Sequence, residues 1–68
     1  MNRFNNISNT QLSHTIDEWI KNERDRKILK RRFIDGIRIE PLAEEFNLTV
    51  DRIKQINYKD KAIIEQHI

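Results

Sequence analysis

The sequence contains no cysteine, which removes a disulfide framework, a thiolate zinc site and a cysteine nucleophile together. One glycine and one proline occur in the whole chain, both between residues 35 and 42, and no linker, repeat or low-complexity tract is present. No apolar run approaches the roughly eighteen residues a membrane span needs. Arg3 has no apolar run behind it, so the N-terminus is not expected to be a secretion signal. Charge of one sign is also in short supply. Thirteen Lys/Arg face eleven Asp/Glu for a net +2, too little by itself to prove a nucleic-acid partner. What is present is a chain of 68 residues, 37% hydrophobic and 35% charged. That mixture suits one small helical domain over 1–68, with residues 1–8 expected as a flexible arm, better than a disordered tail. A core of this size is worth only a few kcal/mol net, so it must be packed economically or helped by a partner. A cytoplasmic binding domain is the expectation.

The distribution of charge says more than its sum. Residues 24–38 carry +5, residues 39–51 carry −4 and residues 52–61 carry +3, so two basic segments flank an acidic one. A basic stripe is an electrostatic footprint for phosphate, although solvated helix faces with i,i+4 pairs give the same pattern.

Apolar spacing predicts an all-α domain of four helices. Leu12, Ile16, Trp19 and Ile20 recur at helical intervals, placing Trp19 in the core of a first helix capped by Ser8 or Asn9. A second helix starts at Asn22, with Glu23 and Asp25 at the positive end of its dipole. It buries Ile28, Leu29 and Phe33, with Ile34 alongside, and ends at Asp35-Gly36. Lys27, Lys30, Arg31 and Arg32 fall on the rest of its circumference. Pro41 belongs in the first turn of a short third helix. After Asn47, which tolerates positive φ, Thr49 caps a fourth helix that starts near Val50 and turns Val50, Ile53, Ile56 and Ile63 inward.

Residues 39–58 have the register of a helix-turn-helix. Ala43 supplies the small residue where two helices cross steeply. Leu42 and Phe46 before the turn, Leu48 within it, and Ile53 and Ile56 after it supply the apolar contacts. A second helix of this motif enters the major groove with its N-terminal side chains at base edges. The outward positions are Asp51, Arg52, Lys54, Gln55, Tyr58 and Lys59. Arg52 can fork onto guanine, Gln55 can pair with adenine, and Asp51 can accept from the cytosine amino group, although the helix dipole also favours a carboxylate there. Lys54, Tyr58 and Lys59, with Arg31 and Arg32 of the second helix, are the candidate contacts to the DNA backbone.

The run Arg24-Asp-Arg-Lys-Ile-Leu-Lys-Arg-Arg-Phe-Ile-Asp-Gly36, followed by Leu42-Ala-Glu-Glu-Phe-Asn-Leu-Thr-Val-Asp-Arg-Ile-Lys-Gln-Ile56, resembles region four of bacterial sigma factors, their C-terminal promoter-reading domain. The resemblance covers residues 22–60 and, loosely, the first helix. It implies a recognition helix that reads the upstream promoter element and a domain that also docks on RNA polymerase. Asp51, Arg52, Lys54 and Gln55 match that family's base- and backbone-contacting positions. Asn47 stands where the family has glycine, and Val50 where many members have a polar contact residue. The chain has no room for the core-binding domain, so a stand-alone region-four-like protein is expected, of the kind found on phages and mobile elements.

Other chemistry finds little to build on. His14 and His67 are far apart in sequence and have no acidic cluster at ligand spacing, and neither Asp17-Glu18 nor Glu44-Glu45 forms a carboxylate dyad on a helix. No catalytic residue, metal, cofactor, membrane or small-molecule substrate is expected. The expected partner is double-stranded DNA, with RNA polymerase or a second copy as a further one. A protein-interaction module on the same fold is the alternative.

Overall fold

A computed structural model describes residues 7–67. Four helices make up the fold: α1 (Asn9–Trp19), α2 (Glu23–Phe33), α3 (Ile39–Glu45) and α4 (Val50–Glu65). No strand occurs among the described residues. Each boundary has a local cause. The Ser8 hydroxyl accepts from the Gln11 amide at 3.1 Å, Asn22 Oδ1 from the Asp25 amide at 3.1 Å, and Thr49 Oγ1 from the Arg52 amide at 3.1 Å, so three of the four helices start on a side-chain cap. The fourth, α3, starts at Arg38 with no side-chain cap and carries Pro41 in its first turn, where the missing N–H costs nothing.

The ends of α2 and α3 are set by left-handed residues. Gly36 takes φ 75° after α2, and Asn47 takes φ 56° after α3. At the second of these, the Leu48 amide donates to the Ala43 carbonyl at 2.8 Å and the Asn47 amide to the Glu44 carbonyl at 3.2 Å. This is a Schellman closure, which satisfies the carbonyls left over at a helix C-terminus. Asparagine fills the glycine slot without disturbing it.

The buried side chains form two clusters. The first joins Leu12, Ile16 and Ile20 to Leu29 of α2 and Ile64 of α4, with Ile7, Phe33, Ile34 and Ile63 packed against it. The second joins Ile28, Leu42, Ala43, Ile53 and Ile56, with Ile37, Ile39, Phe46, Leu48 and Val50 around them. All six expected contacts of the helix-turn-helix lie in the second cluster, Phe46 and Leu48 half-buried at its edge.

Several expectations are corrected. Trp19 is not core: it is the last residue of α1 and is 43% exposed. The indole instead stacks on His67, with ring centroids 3.5 Å apart and planes 2° from parallel. Ile64, not Ile63, is the fully buried residue of the last turns. Spacings of 3, 4 and 4 from Ile53 lead through Ile56 and Asp60 to Ile64, and Ile63 sits beside that line, half-buried. Phe33 is half-buried rather than core. Most of the expected arm lies outside the described residues, but Ser8 caps α1 and Ile7 packs on the first cluster.

Candidate nucleic-acid interface

Helix α4 turns Ile53, Ile56, Asp60 and Ile64 inward. With 3.6 residues per turn, Asp51, Gln55, Tyr58 and Ala62 then form the outward stripe, and Tyr58 is 84% exposed. Arg52 and Lys59 lie along one flank of the stripe, Lys54 and Lys61 along the other. Cations thus bracket a polar ridge. Arg52 Nη1 donates to Gln55 Oε1 at 3.5 Å, a long contact that holds the two candidate base readers side by side and leaves most of the guanidinium fork open.

The second helix treats its cations differently, and this was not visible in the sequence. Arg31 grips Glu45 of α3 in a two-point fork, Nε to Oε2 at 3.0 Å and Nη2 to Oε1 at 2.8 Å, while its Nη1 holds Asp35 at 3.1 Å. Hydrogen bonds to Glu45 first, and to Asp35 second, hold the guanidinium further above its ordinary pKa. Lys30 pairs with Asp17 of α1 at 2.7 Å, and Lys27 with Glu23 at 3.8 Å. Arg26 Nη1 donates to the carbonyls of Ile20 at 2.9 Å and Lys21 at 3.1 Å, and Arg24 lies 3.6 Å from Asp25. Arg32 Nη1 donates to the Ile37 carbonyl at 3.3 Å, and its guanidinium makes no ion pair among the described residues. The expected phosphate role of Arg31 therefore meets a competing use: its donors tie α2 to α3. By contrast, Arg52, Lys54, Lys59 and Lys61 make no ion pair among the described residues.

Two further features escaped the sequence. Lys61 lies on the Lys54 flank, and its position two turns on was the signal for it. Asp60 is buried to 4% exposure against Asp25 of α2. Burial first, and then the charge of Asp25 and a hydrogen bond with it, push the Asp60 carboxyl up to about 6. Asp60 Oδ2 and Asp25 Oδ1 are buried without an N–H donor, so nothing offsets the desolvation that favours the neutral form of Asp60. Among the described residues no group of three or more His, Cys, Asp or Glu side chains could hold a metal ion, and no helix is long and apolar enough to cross a membrane.

Residues 22–59 match the family described as Sigma-70, region 4. The chain belongs to the sigma-70 region 4 family. Its helix-turn-helix is thus of the DNA-binding, transcription-regulating type, and the family is not an enzymatic one. The matched segment runs from the Asn22 cap to Lys59 and takes in all five buried residues of the second cluster. No curated protein and no solved structure matches the chain.

Proposed function

We propose that the chain is a sequence-specific DNA-binding regulator of transcription that inserts α4 into the major groove. The contrast in charge pairing carries this reading: the cations of α2 other than Arg32 are paired with carboxylates or carbonyls of the fold, whereas those of α4 bracket an exposed ridge without carboxylate partners. Arg52 and Gln55 lie in the first two turns of α4, the part of a recognition helix that reaches base edges, with Asp51 beside them at the helix start. Lys54 and Lys59 stand on opposite flanks, as contacts to the two strands of a groove require, and the Tyr58 hydroxyl adds a donor on the ridge. Arg32 remains in the backbone set, and Arg31 leaves it. A module of this size buries about 600–1,000 Å² on DNA, so its affinity is modest and RNA polymerase or a second copy serves as a tether.

Glu40 and Glu44 on the exposed side of α3 favour a second reading, a protein-interaction module that meets a basic partner surface. A gel shift on genomic fragments, with and without RNA polymerase and at two salt concentrations, separates the two. The first reading expects selected fragments to be retained and released as salt rises. Retention of no fragment by the protein alone, with a stable polymerase complex, would leave the second.

A further inference from the structure

A groove of about 260 Å³ opens where α2, α3 and α4 meet, lined by Arg32, Phe33, Ile39, Lys54, Asn57, Tyr58 and Lys61. Its lining includes three cations and no carboxylate. Other clefts of the fold differ: one includes Asp17 and Asp35, a second Asp25 and Asp60, a third Asp25. The three cations come from two directions. Lys54 and Lys61 rise about 10 Å apart along one flank of α4, and Arg32 faces them from α2. The Arg32 side chain is oriented by its bond to the Ile37 carbonyl, so less freedom is lost when its remaining N–H groups find an acceptor. Phe33 and Ile39 give the groove an apolar wall, and charges over low-dielectric walls focus an attractive field on an anion.

We infer that this groove seats one backbone phosphate of the DNA strand beside α4, with Lys61 and Arg32 holding it jointly, and so fixes how far α4 can slide along the major groove. The inference rests on the DNA-binding reading above. Lys54 at the mouth of the groove meets the neighbouring part of the same strand. A single phosphate shared by two cations has a thermodynamic signature that separate contacts lack. Each phosphate neutralised contributes about 0.9 to the slope of log K against log salt. Two cations on one phosphate therefore account for about one such increment between them, not two.

The test is fluorescence anisotropy of a labelled mixed-sequence duplex titrated with wild type, Lys61→Gln, Arg32→Gln and the double variant across a salt series. Thermal melts show that each variant is folded, and exposed Lys21→Gln serves as a control that leaves the slope at the wild-type value. The expected result is weaker binding in each single variant and a slope reduced by about one increment in the double. Should Arg32→Gln fail to fold, Arg32→Lys and Lys61→Gln carry the test, with Arg32→Lys keeping the wild-type slope and Lys61→Gln binding more weakly. A double variant, or Lys61→Gln alone, that binds like wild type overturns the inference while DNA binding stands. A loss of two increments overturns the shared seat and assigns each cation its own phosphate. Wild type that fails to bind the duplex at low salt overturns the DNA reading, and this inference with it.

Discussion

Asp60 is a carboxyl group almost sealed from water, and its neighbours decide what the seal does. Asp25 faces it from α2, held at 3.6 Å by Arg24, while Lys59 beside it on α4 lowers its pKa without overcoming burial. The folded value stands near 6 against an ordinary 3.8. Between those values the folded chain binds a proton that the unfolded chain has lost, so stability from this group is complete below about pH 4 and drains away as pH rises through 6. Asp60→Asn copies the protonated form at every pH. It should gain about 1–3 kcal/mol over wild type at pH 7.5 and nothing at pH 4, as read from urea melts of both proteins across that range. A constant gap would show that the residue acts through packing instead. Elsewhere on α4, Arg52→Ala and Gln55→Ala should each lose about 1–3 kcal/mol on a selected site and far less on random DNA. Neither side chain is buried, so circular-dichroism melting should barely move. Equal losses on both DNAs would demote these two residues to backbone contacts.

The crossing of α3 on α4 depends on Ala43, which is 4% exposed among Leu42, Ile53 and Ile56. Ala43→Leu should overpack it and lower stability by about 1–3 kcal/mol, and an unchanged melting temperature would mean that the crossing is loose. The other tie between elements is Arg31 to Glu45. Because the pair is solvent-accessible, Arg31→Gln should cost well under the loss expected at Ala43 and leave the salt slope of DNA binding unaltered. A slope lowered by about 0.9 would return Arg31 to the phosphate contacts. These two residues mark the boundary of what the sequence discloses. Caps and turns act over three or four residues, so Asn22, Asn47 and Thr49 could be placed from their neighbours alone, and the first cap could be narrowed to Ser8 or Asn9. The crossing followed from one small residue between apolar ones. Arg31 and Glu45 are fourteen residues apart, and only the folded path shows which of several nearby charges meet. Asp25 and Asp60 are further apart still, and a charged residue in the line from Ile56 to Ile64 reads naturally as solvent-facing. Trp19 was misplaced because periodicity gives a direction around the helix axis but no account of how far the packed layers extend along it.

Across the whole molecule, the family match and the two clusters divide the chain in the same way. Every buried member of the second cluster lies within residues 22–59, whereas four of the five in the first, all but Leu29, lie outside them. Helix α1 and the last turns of α4 are therefore a brace on the helix-turn-helix. Ile16→Val or Ile64→Val should cost about 0.5–1.5 kcal/mol of stability and leave DNA affinity unchanged well below the melting temperature. An affinity loss matching the stability loss would show that the brace also shapes the reading surface. Ile28 and Leu29 belong to different clusters, though they are consecutive and project about 100° apart. A helix keyed in this way cannot roll about its own axis without pulling one side chain out of its socket. Helix α4 is pinned similarly, by Ile53 and Ile56 near one end and Ile64 at the other. Its ridge is thus presented at one azimuth in the free protein, so on the DNA-binding reading proposed above a change of preferred sequence has to come from exchanging the side chains on the ridge, since the frame that carries them does not turn.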